Sequence, residues 1–227
     1  MNTLNSSIKN TRQKYREIFM TCAKEIQKRV DELKPAGVND IFDTFERGSA
    51  GAQWQKNVLD MFENEIAKDI YRKWREILDY REKFSCTGCT TCCNLACSEF
   101  SPDELAQKAK NQDNFANQFL SIFVPYETRE EAQHVYPEYL ELLKDTIDED
   151  VYFYHCPKLN EHGRCSDYEN RPQICRDFPD NPLSILPKSC GFYGWREEVQ
   201  PVALMLHSML EILNYYKDKI RDPEAVN

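Results

Sequence analysis

Long apolar runs are missing from this sequence. No stretch approaches the roughly 18 consecutive apolar residues that cross a bilayer, so no membrane-spanning helix is expected. The N-terminal residues MNTLNSSIKNTRQKYREIF lack the apolar stretch and small-residue cleavage site of a secretory signal. A cytoplasmic location is therefore expected, where thiols stay reduced. Blocks of positive charge are missing as well: the net charge is -9, and Lys and Arg alternate with acidic residues in KEIQKRVDELK and YRKWREILDYREK. That pattern excludes nucleic acid as a partner, because a phosphate backbone needs a basic footprint. There is no GxGxxG after a strand, no P-loop and no HExxH, which excludes the familiar nucleotide and zinc-protease sites. Internal repeats and low-complexity tracts are absent too.

What remains is an ordinary globular composition, 41% hydrophobic and 12% aromatic over 227 residues, enough for one or two packed domains. The ten cysteines are too sparse for a small disulfide scaffold. In a reducing compartment, clustered cysteines more often bind metal or carry redox chemistry.

The apolar periodicity predicts a mainly α fold: an N-terminal helical hairpin over residues 1–80 and a helical, loop-rich cysteine-cluster domain over residues 81–227, held by metal. Tyr15, Ile18, Phe19, Cys22, Ile26, Val30 and Leu33 recur at three- and four-residue steps until Pro35 and Gly37 break the pattern. Trp54, Val58, Phe62, Ile66, Ile70, Trp74 and Leu78 step by four along a second helix. These stripes are expected to pack in a core, and docking of a protein partner is the alternative use of the aromatic ridge. Cys22 lies on the apolar face and reads as a small buried hydrophobe.

Ser101, Pro102 and Glu104 spell a capping box and predict a helix start. Further helices are expected over residues 113–147, interrupted at Pro125 and Pro137. Residues 151–195 hold four cysteines and five of the eleven prolines, and are expected to be irregular. A last helix is expected over residues 198–217, with Val202, Leu206, Met209, Leu210 and Leu213 on one side.

The cysteines themselves are grouped. Residues 84–97 read FSCTGCTTCCNLAC, a C-x2-C-x2-C-C-x3-C pattern. A C-x2-C pair is a compact chelate, because a turn brings both thiolates to one side of a metal. A bacterial ferredoxin run would need its fourth cysteine at residue 96, which is Ala96. The second half supplies Cys156, Cys165, Cys175 and Cys190. With Cys22 and Cys97 set aside, Cys86, Cys89, Cys92, Cys93, Cys156, Cys165, Cys175 and Cys190 amount to eight thiolates, the complement of two four-coordinate sites. On an extended backbone, adjacent Cys92 and Cys93 would point to opposite sides and serve different centres. His155 and His162 are alternative ligands close by, whereas His207 is expected to pack or face solvent.

These residues resemble a known family. FxCxxCxxCC at Phe84 to Cys93 is followed by CPxLxxxGxCxxYExRPxxCRxFP from Cys156 to Pro179, then by Cys190 and Gly191 before a terminal helix. The pattern resembles the YkgJ-like cysteine-cluster proteins over about residues 84–195. The resemblance implies a domain that chelates zinc or iron. The flagellin lysine methylases resemble the same cysteine set, so it also implies an enzymatic version, with methyl transfer or redox chemistry. Cys97 lies outside the pattern and stands as a ninth possible ligand.

Charge adds two further candidates. A metal held by four thiolates carries about two net negative charges, so nearby cations lower its self-energy. Arg171 and Arg176 flank Cys175 and are expected to screen the thiolates; an ion pair with Glu169 or Asp177 is the competing reading. Pro172 is expected to set the turn into Cys175, and Gly163 the turn before Cys165. The cofactor expected is an iron-sulfur cluster of the 4Fe-4S kind, zinc, or both. Iron-sulfur is preferred, because four cysteines in one loop can embrace a bulky cluster.

Overall fold

A strict four-residue stripe cannot stay on one face of an ideal helix, since each step overshoots a 3.6-residue turn by about 40°. The computed structural model, which describes residues 2–135, 137, 140 and 151–221, corrects this drift locally. Helix α2 (Ala50–Met61) runs through a π turn (Phe62–Ile66) into α3 (Ala67–Tyr80). A π turn takes up extra residues, and Trp54, Val58, Phe62, Ile66 and Ile70 are all buried. Beyond it the ordinary period returns. Burial passes to Ile77, while Trp74 and Leu78 are only half-buried.

The described chain divides into two units, Met1–Glu82 with Glu197–Asn227, and Lys83–Arg196. In the first, helix α1 (Asn2–Glu32) buries Cys22, Ile26 and Val30 and ends before Pro35. The Trp54 indole N–H donates to the Val30 carbonyl at 3.0 Å in the last turn of α1, where the Leu33 N–H also reaches it at 3.2 Å. The C-terminal helix (Tyr193–Arg221) begins before the expected start and keeps Pro201 inside it. Its buried positions are Trp195, Val199, Ala203, Leu206, Ser208, Ile212, Leu213 and Tyr216. Val202, expected on that face, is exposed, and Met209 and Leu210 are half-buried. Tyr216 meets Phe62 edge-on at 5.5 Å and donates its hydroxyl to Gln27.

The second unit contains α4 (Thr91–Asn94), β1 (Ala96–Ser98), α5 (Pro102–Lys110), α6 (Asn114–Leu120), β2 (Val124–Pro125), α7 (Arg129–Val135), β3 (Tyr152–His155) and α8 (Gln173–Asp177). The predicted capping box starts α5: Ser101 Oγ accepts the Glu104 N–H at 3.2 Å, and the Glu104 carboxylate accepts the Ser101 N–H at 2.8 Å. Pro125 interrupts the helices as expected, whereas most of residues 136–150, with the surroundings of Pro137, lie outside the described residues.

The fold is mainly α, as the periodicity predicts, but it also holds a small antiparallel sheet in the order β1-β3-β2. Strands of two to four residues are too short for an alternating pattern to announce them. Ala96 pairs with Tyr154, and Val124 with His155. Successive side chains of β3 take opposite faces. Phe153 packs with Leu95, Ala132 and Leu140, and Tyr154 with Leu105, Ala116 and Phe119.

Candidate metal centre

The β1–β3 pairing reaches the cysteines at both of its ends. Three residues before Ala96 stands Cys93, and two after Tyr154 stands Cys156. The Cys156 N–H donates to the Cys93 carbonyl at 2.7 Å. Two cysteines far apart in sequence are thereby joined through the main chain.

Cys92 and Cys93 lie within the single turn of α4, not on extended backbone. Thr90, in the left-handed region at φ 59°, leads into that turn and accepts the N–H groups of Cys93 and Asn94 at 3.0 and 2.9 Å. Neighbouring side chains of a helix diverge by about 100°, not 180°. The expected opposition of the two thiols is corrected accordingly.

The Cys86–Cys89 loop is tied to the Cys190 turn. Thr87 Oγ1 donates to the Ser189 carbonyl at 3.0 Å. Gly191 fits because it has no side chain: a Cβ there would stand 1.9 Å from the Ser85 carbonyl oxygen. Tyr168 adds a further tie, donating its hydroxyl to the Cys86 carbonyl at 3.3 Å.

Cys156 and Cys165 sit at the two sides of a turn closed by a Leu159–Cys165 bridge. Gly163, at φ 66°, makes the turn as its residue type predicts, and its N–H donates to the Asn160 carbonyl at 2.9 Å. The Asn160 side chain accepts from His162 and Arg164, and Lys158 pairs with Asp167 at 2.9 Å. Cys175 lies on α8, and Pro172 sets the turn into it by accepting the Cys175 N–H at 3.0 Å.

Electrostatics link these thiols. Hydrogen bonds from Cys190 and Thr91 pull Cys89 down to about 5, and the same Cys190 contact pushes Cys190 up. Cys92 is pushed up by its bond to Cys93, then by burial and by the charges of Cys89 and Cys86, while Cys93 is lowered. Burial, then the charges of Cys93, Cys156 and Cys165, raise Cys175 to about 11, and Arg171 opposes them. Cys156 is raised mainly by burial.

The two arginines are placed differently. The Arg171 guanidinium stacks on Tyr168 at 3.7 Å and acts on both Cys93 and Cys175. Arg176 donates to the carbonyls of Arg171 and Glu169 at 2.7 and 3.0 Å, which braces the turn before α8. Sequence reasoning missed Thr87 and the hydrogen-bonding role of Tyr168. Nothing in the spacing of Thr87 could have signalled it, whereas the aromatic run Tyr152–Tyr154 did carry a strand signal.

Among the described residues no disulfide joins any cysteine, and no three His, Cys, Asp or Glu side chains already stand as a ready metal site. Cys22 is buried in the first unit, its thiol 3.8 Å from the Met205 carbonyl, as its apolar position predicts. Cys97 is exposed on β1. His155 stacks with Tyr126 at 4.8 Å, His162 is exposed on its turn, and His207 stands 3.4 Å from Glu211. An open groove of about 920 Å³ in the first unit, lined by Phe19, Ala23, Ile212 and Tyr215 among others, has no cysteine in its walls.

Residues 85–199, just over half of the chain, match the family model described as "CxxCxxCC: Putative zinc- or iron-chelating domain", and the chain belongs to that family. This agrees with the resemblance to the YkgJ-like cysteine-cluster proteins and supports metal binding in general. No curated protein and no solved structure matches the chain.

Proposed function

We propose that this member of the CxxCxxCC family chelates metal through eight thiolates, Cys86, Cys89, Cys92, Cys93, Cys156, Cys165, Cys175 and Cys190, as an iron-sulfur cluster of the 4Fe-4S kind, zinc, or both, in a reducing compartment such as the cytoplasm. The observation that carries the reading is the set of hydrogen bonds that ties residues 86–93 to the cysteine-bearing turns of residues 156–190: Cys156 N–H to the Cys93 carbonyl, Thr87 Oγ1 to the Ser189 carbonyl and Tyr168 to the Cys86 carbonyl. Hydrophobic packing has no need of that arrangement. Thiolates are soft donors that suit zinc and iron-sulfur centres.

Bound there, an iron-sulfur cluster supplies one-electron chemistry, and zinc supplies a cross-link. The chain's residues do the rest. Cys89 offers a thiolate at neutral pH, whereas Cys175, held up to about 11, gives up its proton only on ligation. Arg171, facing Cys93 and Cys175, offsets part of the negative charge that four thiolates bring together. Cross-linking also serves the fold, because a structural zinc centre contributes about 10–16 kcal/mol of apparent binding energy, comparable with the stability of a whole domain.

The test is colour and sulfide. Protein purified without oxygen, from cells supplied with iron and sulfur, is expected to be brown and to release acid-labile sulfide. Colourless protein with stoichiometric zinc and no sulfide would remove the cluster reading and leave chelation standing. Protein with neither metal would remove both.

A further inference from the structure

The eight thiols fall into two sets when the main-chain ties around them are followed. The Cys86–Cys89 loop is fastened to the Cys190 turn by the Thr87–Ser189 hydrogen bond and the Gly191 packing against Ser85. Cys93 is fastened instead to Cys156 by a 2.7 Å main-chain bond, and the Leu159–Cys165 bridge holds Cys165 at the same turn. Cys175 joins this second set through Ile174, which packs on the cluster that contains Tyr154, two residues before Cys156.

We propose that these are two separate four-thiolate centres, Cys86, Cys89, Cys92 and Cys190 in one and Cys93, Cys156, Cys165 and Cys175 in the other, joined at the Cys92–Cys93 peptide. The inference rests on the metal-binding reading and deepens it. Each centre takes three thiols from one cysteine segment and one from the other, so neither segment completes a centre alone.

The sets meet at the α4 turn, where Cys93 is tied to Cys156 through the main chain and its neighbour Cys92 is left to the first set. Cys92 and Cys93 diverge by about 100° on a helical turn, which lets one thiol turn to each side while the centres remain neighbours. Tyr168 and Arg171 stand beside both: Tyr168 bonds to the Cys86 carbonyl, and Arg171, stacked on it, acts on Cys93 and Cys175.

Cobalt(II) tests the division, because its tetrathiolate complexes are coloured and zinc-like in geometry. The full chain, stripped of metal without oxygen, is titrated with cobalt(II) and then pulse-alkylated for peptide mapping. Wild type is expected to bind two equivalents. Cys190→Ser is expected to bind one, with Cys93, Cys156, Cys165 and Cys175 protected. Cys165→Ser is expected to bind one, with Cys86, Cys89, Cys92 and Cys190 protected. Adding Cys89→Ser to Cys190→Ser costs no further metal, whereas adding Cys165→Ser abolishes binding. If a variant loses its helical circular dichroism, wild type at one equivalent decides: single molecules are expected to protect one set of four or the other. Saturation at one equivalent, loss of both equivalents in a folded single variant, or protection that mixes the sets overturns the division alone. Wild type that takes up no cobalt removes the metal-binding reading, and the division with it.

Discussion

The N–H of Cys156 donates to the carbonyl of Cys93 at 2.7 Å, and through that bond the β1–β3 pairing brings the two cysteine-bearing segments together. The sheet is small, but its central strand is anchored on both faces, by Phe153 in one apolar cluster and by fully buried Tyr154 in the other. The position of a thiol pair thus depends on packing several residues away.

Tyr154→Ala tests that dependence. Removing a fully buried aromatic side chain costs about 3–5 kcal/mol, and the hydroxyl bond to the Phe100 carbonyl goes with it. Chemical denaturation is expected to show that loss. Bound metal, measured after gel filtration, is expected to fall, although no thiol has been touched. Full metal content in a destabilised Tyr154→Ala protein would show that the sheet does not position the site.

Gly191→Ala addresses the Cys190 turn. A methyl group 1.9 Å from the Ser85 carbonyl oxygen forces main chain to move, and such overpacking costs about 1–3 kcal/mol. The variant is expected to bind metal more weakly in competition with a chelator. Gly194→Ala is the control, since its Cβ would meet only the Phe84 ring at 3.3 Å.

Cys22→Ser separates the buried thiol of the first unit from the candidate ligands. The serine hydroxyl inherits the Met205 carbonyl as acceptor, so the change is expected to cost about 1 kcal/mol. Metal per chain is expected to stay at the wild-type value by elemental analysis.

Thiol reactivity gives the pH dependence. Cys89 is held down to about 5 by its Cys190 and Thr91 hydrogen bonds, and Cys175 is held up to about 11 by burial and neighbouring charge. Only the thiolate alkylates rapidly. In metal-free protein Cys89 is therefore expected to react at a rate nearly independent of pH from 7 to 9, and to slow as pH falls through about 5. Cys175 is expected to accelerate across the range up to about 11. The linkage has a definite sign: a thiol raised in the fold contributes stability below its ordinary value of 9.0, and loses it as pH climbs toward about 11. Metal-free protein is expected to unfold more readily across that interval, as monitored by circular dichroism. Peptide mapping that finds Cys175 faster than Cys89 at pH 7 would contradict both assignments.

Local patterns were legible in the sequence because their causes are local. The capping box at Ser101 and Glu104, the helix break at Pro35, the left-handed turn at Gly163 and the burial of Cys22 each follow from a few adjacent residues. The eight candidate thiols were legible as well, since C-x2-C spacing has a chelating rationale of its own. Their partners were not. That the Cys86–Cys89 loop meets the Cys190 turn and that Cys93 bonds to Cys156 depend on contacts across many intervening residues, including the short β1–β3 pairing and the side-chain-free approach of Gly191 to Ser85. Strands this short carry too little periodicity to be read, and a glycine's close approach exists only once its neighbour has been folded against it. The residue types determined which chemistry was available, and the tertiary structure decided which thiols face one another, because proximity between distant residues is a property of packing and not of spacing.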